Sequence, residues 1–341
     1  MPTHSLVTGA NGHFGNNLVR LLVSQGNHVI AGVRNPRHRK TMEELGCTTV
    51  VADLLDRRSL ATALNGVDVV YQVGAVFKHW APNPERDIYA ANLLATRNLL
   101  EAAAHAGVKR LVYVSSLAAL DRSRLPITES GWNPDQSNIY FRSKTDAEKL
   151  AWELAEKHNL NMVSVLPGAM IGRNCLAPTP TMALLMSIME SKFPVNPGFF
   201  FNFVDVEDVA AGCYRAALTG KPGERYLLAN ENCTSIEELV RQAQALFPER
   251  KIAMPTKPPR AVVYAAAAML EFVGKLTRRE PQLQRNFLSA FTIREQCDIS
   301  KATRELGFRP RSPAEAITSA FRYLAGANQD TAPTGVQAVH R

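Results

Sequence analysis

The sequence predicts an α/β fold, a doubly wound parallel sheet with a smaller, mainly C-terminal lobe. Short apolar runs alternate with segments of helical apolar spacing from residue 4 to residue 166. A glycine-rich turn, Thr8-Gly9-Ala10-Asn11-Gly12-His13-Phe14-Gly15, stands between the first run and the first helix. At 341 residues the chain exceeds one such domain, so a second lobe is expected.

Thr3-His4-Ser5-Leu6-Val7-Thr8 reads as a buried strand, and Phe14, Leu18, Leu21 and Leu22 space the helix that follows. Strands are expected near 28–33, 47–52, 67–73, 109–115 and 160–166, and helices near 37–45, 57–64, 86–106 and 139–158. That alternation implies helices on both faces of the sheet and ligands at the carboxyl ends of its strands. The glycine turn, the end of the second strand and Ser116 all fall on that edge. The first domain is expected over 1–167, with 203–220 returning to it as a strand end and helix. The lobe is expected over 168–202 and 221–325, and the polar, small residues of 326–341 read as a disordered tail. Ala261 to Leu270 is too short an apolar stretch to span a bilayer. With Phe272, Val273 and Leu276 it reads as an amphipathic helix packed in the lobe, a membrane surface being the alternative.

Glycines at a strand-to-helix turn let a pyrophosphate approach the amides of the helix N-terminus, where the dipole favours negative charge. Gly9, Asn11, Gly12, His13, Phe14 and Gly15 are therefore candidates to hold a dinucleotide. No carboxylate lies between Val29 and Lys40, where an NAD-preferring domain places an acid for the ribose 2′-hydroxyl. Arg34 first, and Arg37 second, suit a 2′-phosphate, so NADP(H) is preferred with NAD(H) possible. Arg39 and Lys40 read as a solvated basic helix start. Asp53, followed by Leu54, suits either the adenine amine or the cap of the next helix.

Ser116 precedes Tyr140 by 24 residues, and Lys144 stands four further on, on the same helix face. Ser115 reads as satisfying backbone groups at the strand end. With these stretches the chain resembles an extended short-chain dehydrogenase/reductase of the NAD-dependent epimerase/dehydratase superfamily. The branch it looks like holds dihydroflavonol reductase-like, cinnamoyl-CoA reductase-like and 3β-hydroxysteroid dehydrogenase-like proteins. The matching residues are Thr8 to Gly15, Val33-Arg34, Asp53-Leu54, Asn92 through Leu100, Val112 to Ser116, Tyr140-Phe141-Arg142-Ser143-Lys144, Phe203 through Ala210 and Leu306-Gly307-Phe308, spread over most of the chain.

The resemblance implies a Rossmann-type sheet and a redox enzyme. It gives Tyr140 the role of general acid/base, Ser116 that of orienting the carbonyl, and Asn92 a place in the proton relay. Lys144 would favour the phenolate and hydrogen-bond the nicotinamide ribose, with hydride leaving the pro-S side of C4. Gly74, Pro167, Gly168 and Ala169 join the cofactor-binding set. A homodimer is implied through a four-helix bundle of the helices near 86–106 and 139–158, whose small residues Ala90, Ala91, Ala95, Ala102, Ala103, Ala104, Ala147, Ala151 and Ala155 permit close packing.

Ser116 is followed by Leu117-Ala118-Ala119, without the acidic pair that family members use to dehydrate nucleotide sugars. Leu166 precedes Pro167 where sugar epimerases resemble one another in an Asn. A reductase of an apolar or aromatic carbonyl compound is therefore expected, with a sugar epimerase or a non-catalytic cofactor sensor as alternatives. Candidate substrate walls are Phe77, His79, Phe193 and Phe201, each weighed against ordinary core packing or solvation. The net charge of +8 and pI near 9.3 raise nucleic acid as a partner, but the basic residues are scattered apart from Arg34 to Lys40. Cys47, Cys175, Cys213, Cys233 and Cys297 show neither paired nor metal-ligand spacing. No metal, a reducing compartment and no integral membrane association are expected. Met1-Pro2-Thr3-His4 runs straight into the first strand, so no signal peptide and a cytoplasmic location are expected too.

Overall fold

A computed structural model describes residues 3–77, 80–277, 280–281 and 283–330. The first half alternates as expected: β1 (His4–Thr8), α1 (His13–Ser24), β2 (His28–Val33), α2 (Arg39–Glu43), β3 (Thr48–Val51), α3 (Arg57–Ala63), β4 (Val69–Gln72), α4 (Ala91–His105), β5 (Arg110–Val114), α5 (Ile139–Lys157) and β6 (Met162–Pro167). It continues through β7 (Ala169–Ile171), α6 (Pro180–Met189), β8 (Phe200–Phe201), β9 (Phe203–Asp205), α7 (Val206–Thr219), β10 (Arg225–Leu228) and β11 (Thr234–Ser235), and closes with α8 (Ile236–Leu246), α9 (Arg260–Thr277), α10 (Arg285–Phe291), α11 (Ser300–Leu306) and α12 (Pro313–Asp330).

Seven parallel strands form the main sheet in the order β10-β6-β5-β4-β1-β2-β3. Its inner strands are apolar almost throughout, Leu111-Val112-Tyr113-Val114 for example, because helices cover both faces. On one face α1 and α7 bring Leu18, Leu22, Val209 and Cys213 to the sheet. On the other, α3, α4 and α5 contribute Leu60, Leu99, Ala151 and Leu154. The strand order reverses beside β1, so the ends of β1 and β4 mark the place where a sheet of this kind takes its ligand. The Thr8 hydroxyl ties those ends together, accepting hydrogen bonds from the amides of Val73 and Gly74 at 3.0 Å each.

Four expectations change. The helix near 37–45 shrinks to a 3-10 turn over 36–38 and the short α2, because Asn35 caps the turn and Gly46, at φ +84°, ends the segment. Residues 225–228 form the outer strand of the main sheet rather than part of the lobe, pairing with Ser164 to Pro167. α12 carries helix through Asp330, beyond the expected end of order at 325; residues 331–341 lie outside the described residues. Ala95, Ala103, Ala147, Ala151 and Ala155 are buried inside the subunit. Their small size lets α4 and α5 pack on each other and on the sheet, whereas Ala90, Ala91, Ala102 and Ala104 keep exposed surface.

The second lobe has a core of its own. Met182, Leu185 and Met189 of α6 pack with Ile236, Leu239 and Val240 of α8 and with Ile317 and Phe321 of α12. A reciprocal capping box, Ser235 with Glu238, starts α8. None of the described helices is long and apolar enough to cross a membrane.

Candidate active site

The glycine turn is built by close approach. Gly9 takes φ +63°, and a Cβ there would lie 2.8 Å from Gly74 Cα. A Cβ on Gly15 would lie 2.3 Å from the Gly9 carbonyl oxygen, so α1 can begin where it does only with glycine at that position. Gly12 is different: beyond that same carbonyl at 3.2 Å its side is open, it is exposed, and it caps α1 with no acidic residue in the first turn. This is space for an anion against helix amides. Asn11 is half-buried beside it. Phe14 contributes its side chain to the core, leaving only its backbone to the turn. His13 is buried, and its Nε2 lies 2.9 Å from the Arg173 carbonyl, so its ring braces the loop after β7; burial holds its pKa below the usual imidazole value. Asn17 makes the same connection, donating to the carbonyls of His13 and Arg173.

Arg34 follows the last residue of β2, and both it and Arg37 are exposed, with no side-chain partner among the described residues. Asp53 Oδ1 accepts from the Leu55 amide at 3.0 Å and so closes a turn, while Asp56 caps α3 by accepting from the Arg58 amide. The capping alternative for Asp53 therefore falls to its neighbour three residues on. Leu54 packs against Gly74, where a Cβ would lie 2.9 Å from Leu54 Cδ1. After β6, Gly168 and Ala169 already spend their amides on the carbonyls of Leu228 and Asn202. A Cβ on Gly168 would meet the Asn202 carbonyl oxygen at 2.7 Å, so this stretch after Pro167 is fixed by the second lobe.

The candidate reacting groups lie on α5 and the loop after β5. Asn138 caps α5, its Oδ1 accepting from the amides of Tyr140 (3.0 Å) and Phe141 (3.2 Å), and this presents Tyr140 from the helix's first turn. Tyr140 is 7% exposed and hydrogen-bonded to Ser116. Burial pushes the phenol above its ordinary value and the Ser116 bond draws it part of the way back, so at neutral pH it holds its proton. The group that lowers it is thus Ser116, where the sequence points to Lys144. Burial brings Lys144 down to about 8, opposed by the negative charge of Glu148. The Lys144 ammonium makes no hydrogen bond among the described residues.

Asn92 is fully engaged. Its Oδ1 accepts from the Val76 amide at 2.8 Å, and its Nδ2 donates to the Val76 carbonyl and to Ser143 Oγ. It pins the loop after β4 to α5. Ser115 departs from its expected backbone role and donates to Glu148 Oε2 at 2.6 Å. The Phe77 ring stands 5.3 Å from that of Tyr140, edge-on. A run of aromatic contacts leads on from Tyr140 through Phe141 and Phe291 to Phe201 and Phe199. Phe193 packs in the core of the second lobe instead, and His79 lies outside the described residues.

Sequence reasoning gave no role at the site to Phe141, Phe291, Arg122 or Glu148. Arg122 stacks 5.0 Å from the Phe141 ring, forms a buried ion pair with Glu295 and donates to the Ala290 carbonyl, so it ties α10 over Tyr140. The one local signal was Glu148, four residues beyond Lys144.

A nicotinamide dinucleotide fits these residues. The open face of Gly12, the α1 amides, the unpartnered guanidinium of Arg34 and the unpaired ammonium of Lys144 line one edge of the sheet.

Comparisons with known proteins show which family the chain belongs to. The model of the "NAD dependent epimerase/dehydratase family" matches residues 5–229. A putative dihydroflavonol 4-reductase of Synechocystis sp. is 32% identical over 330 residues, covering 93% of each chain. Sterol demethylase protein B of Methylococcus capsulatus is 28% identical over 327 residues, covering 94% of this chain and 98% of its own. The solved structure of gox2253 superposes with a TM-score of 0.81 at 31% identity, covering 95% and 98%. This chain belongs to the NAD-dependent epimerase/dehydratase family, in its extended short-chain dehydrogenase/reductase form, and is an enzyme acting on hydroxyl or carbonyl groups with a nicotinamide cofactor.

Proposed function

We propose that the enzyme is an NADPH-dependent carbonyl reductase, reversible as an alcohol dehydrogenase, whose substrate is a ketone or aldehyde on an apolar or aromatic small molecule. The observation that carries this reading is the position of the Ser116–Tyr140 hydroxyl pair against an aromatic wall of Phe77, Phe141 and Phe291. Polyhydroxylated sugars need dense hydrogen bonding, which rings do not give. The relative described as a putative dihydroflavonol 4-reductase supports the same substrate class.

The bound nicotinamide supplies the hydride. Ser116 Oγ, steadied by the Ala118 amide at 3.1 Å, orients the carbonyl oxygen. The Tyr140 phenol, kept protonated by burial, donates its proton to that oxygen. Lys144 would hold the ribose of the bound cofactor, and Asn92 fixes the loop that brings Phe77 to the site. Arg34, then Arg37, give the preference for the 2′-phosphate. Assayed for NADPH oxidation, a panel of aromatic, aliphatic, steroidal and acyl-CoA-derived carbonyls is expected to give turnover concentrated on the apolar and aromatic members. Interconversion of a nucleotide sugar with no net cofactor turnover would replace this reading with an epimerase.

A cytoplasmic enzyme accords with five free cysteines. Assembly as a homodimer across α4 and α5 rests on residues that face outward, chiefly Leu94 at 45% exposed. Leu94→Arg is expected to turn a dimer into a monomer in light scattering at micromolar concentration without loss of fold. A wild type that is already monomeric, or a dimer unaffected by the change, rules this interface out.

A further inference from the structure

Glu148 is fully buried, and every bond it makes is specific. Arg225 of β10 meets it in a fork, Nε to Oε1 and Nη2 to Oε2, both at 2.9 Å. The remaining Arg225 donor is spent on the carbonyls of Glu129 and Gly131, and the guanidinium stacks 4.0 Å over Trp132. A buried ion pair of this kind often does no more than hold elements together. Trp152 Nε1 also donates to Oε1, at 3.4 Å, and two further features tie Glu148 to the site. Ser115 donates to Oε2, and Ser115 is the residue before Ser116. One helical turn back along α5 stands Lys144, whose ammonium feels the Glu148 charge.

We infer that Glu148 is a positioning residue of the active site, clamping the Ser116 loop through Ser115 and supplying the negative charge that faces Lys144. The inference rests on the reductase reading for its kinetic consequence and on the one-turn spacing of Lys144 and Glu148 along α5 for its electrostatic one. The other charged or titratable groups around the cluster are Tyr140 on the same helix, Tyr113 on β5 with its hydroxyl taken by Thr96, and Arg225 behind the carboxylate. α4 contributes the neutral Asn92, and Asp146 of α5 is engaged by the Tyr89 hydroxyl. Glu148 is thus the acid whose charge acts on Lys144. Losing it would also uncover the positive charge of Arg225, and both changes push Lys144 toward its neutral form.

The test is Glu148→Gln, read by NMR of protein labelled with 13C at lysine Cε, with Lys144→Arg assigning the signal. The Lys144 midpoint is expected to fall from about 8 by about one pH unit or more, the size of effect of an adjacent opposite charge. The alkaline limb of kcat, measured on the best carbonyl of the panel, should move with it. Glu148→Asp, which keeps the charge, should restore most of the midpoint. Ser115→Ala should lower kcat and leave the midpoint in place, separating the two routes. A folded Glu148→Gln protein with a wild-type midpoint and pH profile overturns the inference. Where that variant does not fold, Glu148→Asp decides: a reduced kcat with a small acid shift supports it, and wild-type values of both overturn it. The midpoint needs no substrate, so a wild type that reduces no carbonyl rejects the reductase reading while leaving this result standing.

Discussion

Replacing Tyr140 with Phe is expected to lower kcat by roughly 10²- to 10⁴-fold, the range for loss of a positioned acid or base, while NADPH affinity stays close to wild type. The change removes a hydroxyl and little else. The ring keeps its edge-on contacts with Phe77 at 5.3 Å and Phe141 at 6.0 Å, and the Asn138 cap bonds backbone amides that the substitution does not touch. Ser116 retains the Ala118 amide as a partner, so its loop stays in place. What goes is the one proton that burial keeps on the phenol at neutral pH. Stopped-flow reduction and a fluorescence titration of NADPH separate the two effects. More than about a tenth of wild-type kcat remaining would remove Tyr140 from the role of proton donor.

The parts of this site that are legible in the sequence are those whose physics is local. A strand-to-helix glycine turn needs its glycines within a few residues, and Gly9 and Gly15 prove to be positions where a Cβ collides with backbone. Tyr140 and Lys144 stand one helical turn apart, and the main-sheet strands announce themselves by being apolar on both faces. Long-range partners leave no such trace. Arg122 finds Glu295 across 173 residues and Glu148 finds Arg225 across 77, so neither pair shows as a pattern in the chain. The alanines of α4 and α5 show the same limit from another side. Small residues signal close packing, but whether the neighbour is the subunit's own sheet or another copy depends on which face is already covered. At Gly168 and Ala169 the sequence marks the right loop, and only the fold reveals that Leu228 and Asn202 have taken the amides.

Arg34→Ala is expected to weaken NADPH binding by roughly ten- to a hundredfold, the worth of a hydrogen bond to a charged group at about 1.5–3 kcal/mol, and to leave NADH binding nearly unchanged. Arg34 is the first residue beyond β2, and the Ala10 amide donates to the Gly32 carbonyl at 3.1 Å, so the end of β2 and the glycine turn are joined side by side. That puts Arg34 at the strand end where the adenosine ribose of a dinucleotide is expected in this fold, with no carboxylate from Val29 to Lys40 to compete for it. Arg37 starts the next turn, its amide held by Asn35 Oδ1 at 3.0 Å, and Arg37→Ala should show a smaller loss of the same kind. The contrast between cofactors is what identifies the contact. NADH lacks the 2′-phosphate, so it has no charge-assisted bond to lose, whereas general damage to the site would weaken both cofactors alike. Isothermal titration of each variant with each cofactor reads this directly. Equal losses for NADPH and NADH, or a wild type that already prefers NADH, would mean that the basic end of β2 serves solvent rather than phosphate.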